Sequence, residues 1–508
     1  MKKILYTLPL LLALLACHPD AKVPADSIAL NDTATIFPDY RDIVIPPNIA
    51  PLNFMIQEEG EAFVARIAAN GKEIVAVAAE DGKIQLDPTA WRQLLENNKG
   101  KDLQVDLFCQ RDSQWFQFPS YKLHVAQEDI DPFLAYRLIE PSYELYRQMG
   151  IYQRNLTNFE EKAVYENNRS YESDNNHCVN CHNFQNYSTQ RMLFHVRAKH
   201  GGTVFINNGK AQKMNMKCDS ILSSTVYPTW HPEQNWIVFS SNRTGQAFHI
   251  VNHQKVEVID YGSDLVFFNA DKGTLTNIFQ TKDKMETYPN WCPDGKRLFY
   301  CCAEFPIMAE YPDSVHSDLV LSNYNKIRYN LMSVDFDAAH QTFGEPRIEF
   351  RCDSIGKSAT WPRVSPDGRY VLFTLADYGQ FHIWHRTSDL YVKDLHTGEI
   401  RPLTAANSAD IDSNHNWSSN GRWIVVASRR DDGSYTRVYI AYFDANGRDY
   451  KAFLLPQEDP EQNLHRLKSY NLPELTKDAI PVGPEELKAT IYNDKDIPQV
   501  KYAPAQKS

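Results

Sequence analysis

Apolar and polar residues alternate along most of the chain, with turn residues at short intervals, and this pattern predicts a mainly β protein. Two strands are expected to meet at Asn70-Gly71, because this dipeptide supplies the positive φ angles of a tight hairpin. Residues 88–98 predict a short helix between further strands. We therefore expect a small β-sandwich-like domain over residues 45–127, preceded by a polar tether at 18–44.

The segments that flank the central part of the chain show weaker patterns. Residues 131–165 are rich in tyrosine, and their spacing favours helices, so residues 128–190 are predicted to be a helical linker. Residues 457–508 carry Pro, Lys and Glu with little periodicity. This final stretch is predicted to be a tail that lies along the surface.

Four segments of the central region repeat one another. Each has an aromatic or polar entry followed by a turn and then a β-rich strand: YPTWHPEQNWIVF, YPNWCPDGKRLFY, WPRVSPDGRYVLF and NHNWSSNGRWIVV, which start at residues 227, 288, 361 and 414. The Asp-Gly or Asn-Gly pair in three of the turns suits a tight hairpin. Strands at 191–197, 203–207 and 210–217 are expected to form a further unit that ends near residue 218.

These repeats resemble the TolB-type, WD40-like (PD40) propeller repeats, with their W-S-P-D-G core. The resemblance covers roughly residues 220–456 and departs from the pattern at Cys292 and at 418–420. It implies a five- or six-bladed β-propeller over residues 191–456. Related propellers serve as docking platforms, as gates of prolyl-oligopeptidase-like enzymes or as carriers of cofactor domains. The sequence contains no G-x-S-x-G, which disfavours an attached serine hydrolase.

Residues 1–17 have the pattern of an export signal. Lys2 and Lys3 precede an apolar stretch that ends in Leu-Leu-Ala-Cys at Cys17. This ending resembles the lipobox of bacterial lipoproteins, which implies that Cys17 carries the lipid and that the protein is held on a membrane of the cell envelope. Ordinary secretion with an incidental cysteine is the alternative. His18 follows the lipid cysteine, and the absence of aspartate there favours the outer membrane.

Charge and composition limit the classes of molecule that the protein is expected to bind. Lys and Arg number 53 against 64 Asp and Glu, a net charge of −11, so nucleic acid is not expected as a partner. Hydrophobic residues make up 43% of the chain, which is a globular profile. Buried free thiols are expected for the cysteines outside the motif described next, namely Cys109, Cys218, Cys292, Cys301, Cys302 and Cys352.

The strongest chemical signal is a C-x-x-C-H motif formed by Cys178, Cys181 and His182. This spacing is typical of c-type haem attachment, in which two thiols bond to the porphyrin and the histidine binds iron. At this chain's content of Cys and His, roughly 0.005 chance matches are expected. A redox C-x-x-C and a zinc half-site are the alternatives, but the surroundings do not suggest a βαβ unit and no second C-x-x-C occurs.

The second axial ligand is predicted to be His195, with Arg197 placed to pair with a propionate. A structural strand histidine is the alternative for His195. The other candidate ligands that follow the motif are Met192, His200, Met214 and Met216.

The sequence thus predicts a lipid-anchored monohaem c-type cytochrome that exchanges electrons with a protein docked on the propeller or the haem edge. One alternative is a platform that binds proteins or glycans and has a structural or sensory haem. Another is a haem enzyme of the peroxidase type.

Overall fold

The fold is described from a computed structural model that covers residues 22–140, 149–167, 177–250 and 256–504. The elements of the N-terminal domain are β1 (Ile28–Ala29), β2 (Ile36–Phe37), β3 (Ile43–Ile45), β4 (Phe54–Ile56), β5 (Ala62–Ala69), β6 (Lys72–Ala78), β7 (Lys83–Ile84), α1 (Pro88–Glu96), β8 (Asp102–Arg111), β9 (Gln114–Gln117) and β10 (Tyr121–Val125). A large sheet holds β1, β3, β5, β6 and β8 to β10, and a small sheet holds β2, β4 and β7.

The N-terminal domain has the expected hairpin and helix. Asn70 and Gly71 join β5 to β6 with φ angles of 50° and 74°. The Asp87 side chain caps α1 by accepting a hydrogen bond from the Ala90 backbone N–H at 2.7 Å. The described part of the predicted tether, from residue 22 to 44, belongs to this domain, because β1 to β3 pair with its strands.

The remaining elements follow in chain order. They are β11 (Phe133–Ile139), β12 (Gly150–Asn155), β13 (Glu161–Glu166), β14 (His177–Gln185), β15 (Ser188–Ala198), β16 (Gly202–Asn207), β17 (Lys210–Met214), β18 (Thr225–Trp230), β19 (Trp236–Phe248), β20 (Val256–Asn269), β21 (Thr274–Asn277), β22 (Lys284–Trp291), β23 (Arg297–Glu304), α2 (His316–Leu321), β24 (Tyr329–Asp337), β25 (Thr342–Phe343), β26 (Arg347–Phe350), β27 (Ser358–Val364), β28 (Tyr370–Ala376), β29 (Asp389–Asp394), β30 (Ile400–Pro402), β31 (Asp412–Trp417), β32 (Trp423–Ser428), β33 (Arg437–Tyr442), β34 (Phe453–Leu454), α3 (Gln462–His465), β35 (Ser469–Thr476), α4 (Pro484–Tyr492) and β36 (Lys501–Tyr502). Short 3₁₀ turns lie at Pro306–Glu310, Asp313–Val315, Tyr324–Lys326, Asp353–Ile355 and His382–Trp384.

These strands form six blade-like units around a channel. Blade 1 contains β35 and β11 to β13, and blade 2 contains β14 to β17. Blades 3 to 6 begin with β18, β22, β27 and β31 and run outward in chain order. Each of these inner strands contacts the next, and β35 contacts both β31 and β14. The C-terminal part of the chain therefore closes the ring.

Three predicted boundaries are wrong. Within 128–190 the described residues form strands β11 to β14 rather than a helical linker, because Leu134, Tyr136 and Leu138 alternate toward one core while Ala135 faces another. The predicted tail includes β35, the inner strand of blade 1, with Leu475 fully buried. The propeller therefore begins before residue 191 and continues beyond residue 456.

The blades and the N-terminal domain share a continuous apolar packing. One core cluster joins Trp91 of α1 to Trp423 on blade 6, and both side chains are fully or almost fully buried. Burial of a large apolar side chain contributes about 1.5–3 kcal/mol. Asp131 reinforces this contact by accepting hydrogen bonds from the backbone N–H and the hydroxyl of Ser419, both at 2.6 Å.

Two general features of the described residues bear on the predictions. The cysteines described, all except Cys17, form no disulfide; Cys218 is half-buried and the others are buried. None of the described helices is long and apolar enough to cross a membrane.

Candidate functional site

The inner strand of each blade contains one residue in the left-handed region of backbone space. These residues are Cys181, Tyr227, Tyr288, Trp361, Asn414 and Leu472, with φ between 46° and 57°. Each lies at a register shift between the inner strand and its neighbour. Non-glycine residues rarely adopt this conformation, and such bulges redirect side chains. Here the bulges line the channel.

This register explains the C-x-x-C-H segment in structural terms. Cys181-His182-Asn183-Phe184 occupies, in blade 2, the position that Tyr227-Pro228-Thr229-Trp230 occupies in blade 3. The motif is therefore part of a propeller repeat and belongs to a strand. Cys178 precedes the bulge by three residues, where blades 3 and 5 carry Ser224 and Ser358.

The channel opens into a chamber of about 1010 Å³. This volume lies at the upper end of the range for small-molecule sites. Four of the five predicted haem-site residues line it: Cys178, Cys181, His195 and Arg197. His182 lines a narrower neighbouring pocket of about 20 Å³. The remaining predicted residue, Cys17, which is the expected lipidation site, lies outside the described residues.

The environment of Cys178 holds its thiol protonated. Cys178 lies opposite Arg197 in the pairing of β14 with β15. Burial raises the pKa of Cys178, although Arg197 and Arg137 act to lower it. Reactive dithiols have lowered pKa values, so this environment disfavours a thioredoxin-like role.

One ring nitrogen of His195 is enclosed in the chamber wall. Its Nδ1 lies 2.8 Å from the Thr203 hydroxyl, and its Nε2 is buried with no hydrogen-bond partner within the described ranges. Burial, with a smaller contribution from Arg197, lowers the pKa of His195 to about 3. The imidazole is therefore neutral near pH 7, and Nε2 carries its lone pair in the tautomer whose Nδ1–H donates to Thr203.

His182 is also neutral and has little hydrogen bonding. Both ring nitrogens are buried, and no hydrogen bond of good geometry reaches them from the described chain. Burial and then Arg137 lower the pKa of His182 to about 3, while the backbone of Leu472 acts in the opposite direction. Buried polar atoms without partners are uncommon in native proteins.

Arginines and aromatic rings complete the chamber. Nε and Nη2 of Arg197 donate to the amide oxygen of Asn180 at 3.1 Å. Arg137 donates from Nη2 to Asn471 at 2.8 Å, and its Nε has no partner among the described residues. The rings of Tyr227, Tyr288 and Trp361 form a cluster with centroid separations of 4.4 to 5.9 Å.

Sequence reasoning identified the repeats but not this aromatic cluster or Arg137. The aromatic entry of each repeat was the available signal, because it marks the bulge that faces the channel. Nothing comparable marked Arg137, which lies on β11 in the region predicted to be helical.

The residues that line the chamber include the types that a haem c uses, namely two thiols for attachment, a histidine for an axial bond and arginines for the propionates. The two histidines do not present a nitrogen to the chamber: the ring of His182 lies in the neighbouring pocket, and Nε2 of His195 is enclosed in the wall. Within the described ranges, no three His, Cys, Asp or Glu side chains form a site for a bare metal ion.

Comparisons with known proteins leave the family open. No family model matches the chain. Dipeptidyl-peptidase 5 of Porphyromonas gingivalis is 25% identical over 275 residues, which are 48% of this chain. The chain spans only 36% of that relative's length.

Two solved structures share a general likeness with this chain. TolB from Acinetobacter baumannii is 12% identical, with a TM-score of 0.41 over 74% of this chain and 79% of that one. The β-propeller domain of the Trilobed protease from Pyrococcus furiosus is 13% identical, with a TM-score of 0.32 over 70% and 95%. Both scores lie below 0.5, and the propeller architecture rests on the strand order and register given above.

Proposed function

We propose that the protein is an exported, lipid-anchored monohaem c-type cytochrome that holds its haem in the channel chamber. The observation that carries this proposal is the convergence of Cys178, Cys181, His195 and Arg197 on that chamber. A covalent haem c supplies a one-electron couple when bound, so the proposed role is electron transfer to or from a protein partner.

Each residue has a defined part in this proposal. The thiols of Cys178 and Cys181 are the attachment points. When Nδ1–H of His195 donates to the Thr203 hydroxyl, Nε2 would carry the lone pair for iron, as a hydrogen-bonded ligand histidine requires. Arg197 and Arg137 provide positive charge for the propionates. His182 is assigned as the proximal ligand from the motif spacing alone.

The proposed location follows from the N-terminus. Lipidation at Cys17 would hold the protein on the cell envelope, and the residue after it favours the outer membrane. Covalent haem is attached outside the cytoplasmic membrane, which agrees with export. The redox partner is expected to dock on the propeller face or near the haem edge.

An absorption spectrum tests the haem and its ligands. The protein is produced with a c-type haem maturation system, and spectra are recorded oxidised and reduced. A sharp reduced α-band that carbon monoxide leaves unchanged is expected for wild type. His195→Ala is expected to bind carbon monoxide, because it lacks the second axial ligand. A high-spin wild type that binds carbon monoxide would contradict the electron-transfer role and favour peroxidase-type chemistry.

The second candidate function is a binding platform for proteins or glycans. The aromatic cluster of Tyr227, Tyr288 and Trp361 favours it, since ligand sites are commonly lined by such rings. A protein without haem that retains the folded propeller would support this candidate. The similarity to a dipeptidyl-peptidase does not extend to peptidase activity in this proposal, because the sequence lacks G-x-S-x-G.

A further inference from the structure

Among the described residues, the lining of the chamber is cationic although the chain carries a net charge of −11. This part of the lining has five lysine or arginine side chains and one carboxylate, Glu140. Arg197 on blade 2 and Arg137 on blade 1 lie near Cys178 and Cys181. Arg429 is part of a different wall, because it follows β32 of blade 6 and packs against blade 5.

Arg429 is a buried cation that has no counter-ion in contact among the residues that the structure describes. Only 5% of the residue is exposed, and its Nε is buried without a hydrogen-bond partner from those residues. Across the described ranges, no carboxylate lies within ion-pair distance of its guanidinium. The nearby acids are engaged elsewhere: Asp410 pairs with Arg386 at 3.5 Å, and Asp432 accepts the backbone N–H groups of Ser434 and Tyr435.

Arg429 remains charged at neutral pH in spite of its burial. Burial lowers its pKa to about 10, against the opposing effect of Asp410 and Asp432, so the group remains protonated at pH 7. Its guanidinium carbon lies 3.7 Å from the centroid of the Trp384 ring. This cation–π contact replaces part of the stabilisation that water would give the guanidinium. The N–H donors of Arg429 still have no anionic acceptor among the described residues.

The chamber wall next to Arg429 is apolar and aromatic. Phe381, Ile383 and Trp384 line it, and the cluster of Tyr227, Tyr288 and Trp361 lies on the same chamber. An arginine that is held on a tryptophan face recognises a planar carboxylate well, because its donors form a fixed fork.

We propose that Arg429 forms a carboxylate subsite of the chamber, which takes a small ligand with a flat, apolar body. The subsite uses residues of blades 5 and 6 and does not depend on a bound haem. A single buried arginine therefore defines both the charge and the orientation of the ligand.

The probe for this subsite is benzoate, with benzamide as its neutral counterpart. Binding is measured by titration calorimetry on the Cys178→Ser/Cys181→Ser protein, so that the result is independent of haem. Benzoate is expected to bind at least tenfold more weakly to the same protein with Arg429→Gln, and benzamide is expected not to bind. Arg351→Gln, which changes an exposed arginine outside the chamber, serves as the matched control and is expected to bind normally.

Two outcomes would overturn the proposal. One is equal binding of benzoate with and without Arg429→Gln, and the other is no benzoate binding at millimolar concentration. Thermal unfolding of each variant confirms that it is folded. A haem spectrum of the parent protein, recorded separately, decides the cytochrome proposal without affecting this one.

Discussion

The protein is expected to lose stability as the pH rises, and replacement of Glu474 by glutamine is expected to remove a large part of that loss. Glu474 lies on β35 and accepts hydrogen bonds from the Asn183 side chain at 3.1 Å and the Phe184 backbone N–H at 3.2 Å. It therefore ties the C-terminal strand of blade 1 to the C-x-x-C-H strand of blade 2. Burial raises the pKa of Glu474 from 4.5 to about 8, although Arg363 opposes the shift.

The sign of the effect follows from this shift. Between pH 4.5 and 8 the folded protein holds a proton on Glu474 that the unfolded chain releases. Its contribution is fully present below pH 4.5 and is lost as the pH rises through 8. At about 1.36 kcal/mol per pKa unit, the shift corresponds to at most about 5 kcal/mol. Glu474→Gln stays neutral, so this part of the pH dependence disappears.

Thermal unfolding measured from pH 5 to pH 9 provides the assay. The melting temperature of wild type is expected to fall more steeply between pH 5 and pH 8 than that of Glu474→Gln. Glu345→Gln, a change at an exposed glutamate, is expected to follow wild type. Buried Asp260, Asp264 and Glu286 also have raised pKa values, but they are common to all three proteins. Equal slopes for wild type and Glu474→Gln would show that Glu474 is not protonated in the folded protein over this pH range.

Three further outcomes are expected. In urea titrations, Leu475→Ala in β35 should lower the free energy of unfolding by about 2–5 kcal/mol, because Leu475 is fully buried. Leu467→Ala, at an exposed position, should change it by less than about 0.5 kcal/mol. Similar losses for the two variants would contradict ring closure by β35. Arg429→Met should leave the melting temperature unchanged or raise it, since it removes a buried charge that no described carboxylate pairs with; a clear fall would indicate that Arg429 is structural. The third outcome concerns His195, whose pKa is about 3 in the folded protein. The stability that its neutral ring contributes is present above pH 6.5 and is lost as the pH falls. The melting temperature of His195→Phe should therefore fall less between pH 6.5 and 4 than that of wild type.

Local sequence signals predicted the local structure well. Asn70-Gly71 specified a hairpin, because its positive φ angles depend on those two residues alone. The repeated aromatic entries and turns of the central region likewise marked successive units of one architecture. Such signals lie within a few residues and require no knowledge of distant partners.

The ends of the propeller were not predictable in the same way. Leu134 of β11 pairs with Leu475 of β35, more than 300 residues away. No local pattern records a pairing of that separation. Both faces of β11 are buried, which removes the alternation that would have distinguished a strand from a helix.

The candidate site was predictable in part. The cysteine spacing directed attention to Cys178 and Cys181, and the fold brings both to the chamber. The opposite orientation of His182 depends on the bulge at Cys181, which only the register of β14 against β15 reveals. Arg429 belongs to no motif, and the lack of a described partner for its guanidinium is visible only once the surrounding blades are assembled.

The intact mass of the purified protein tests the central claim most directly. The protein is co-expressed with a c-type haem maturation system, and its mass is compared with that of Cys178→Ser/Cys181→Ser. Denatured wild type is expected to retain the added mass of one haem, and the variant is not. Wild type that lacks this added mass relative to the variant, under conditions that mature a known c-type cytochrome, would contradict the proposed haem attachment.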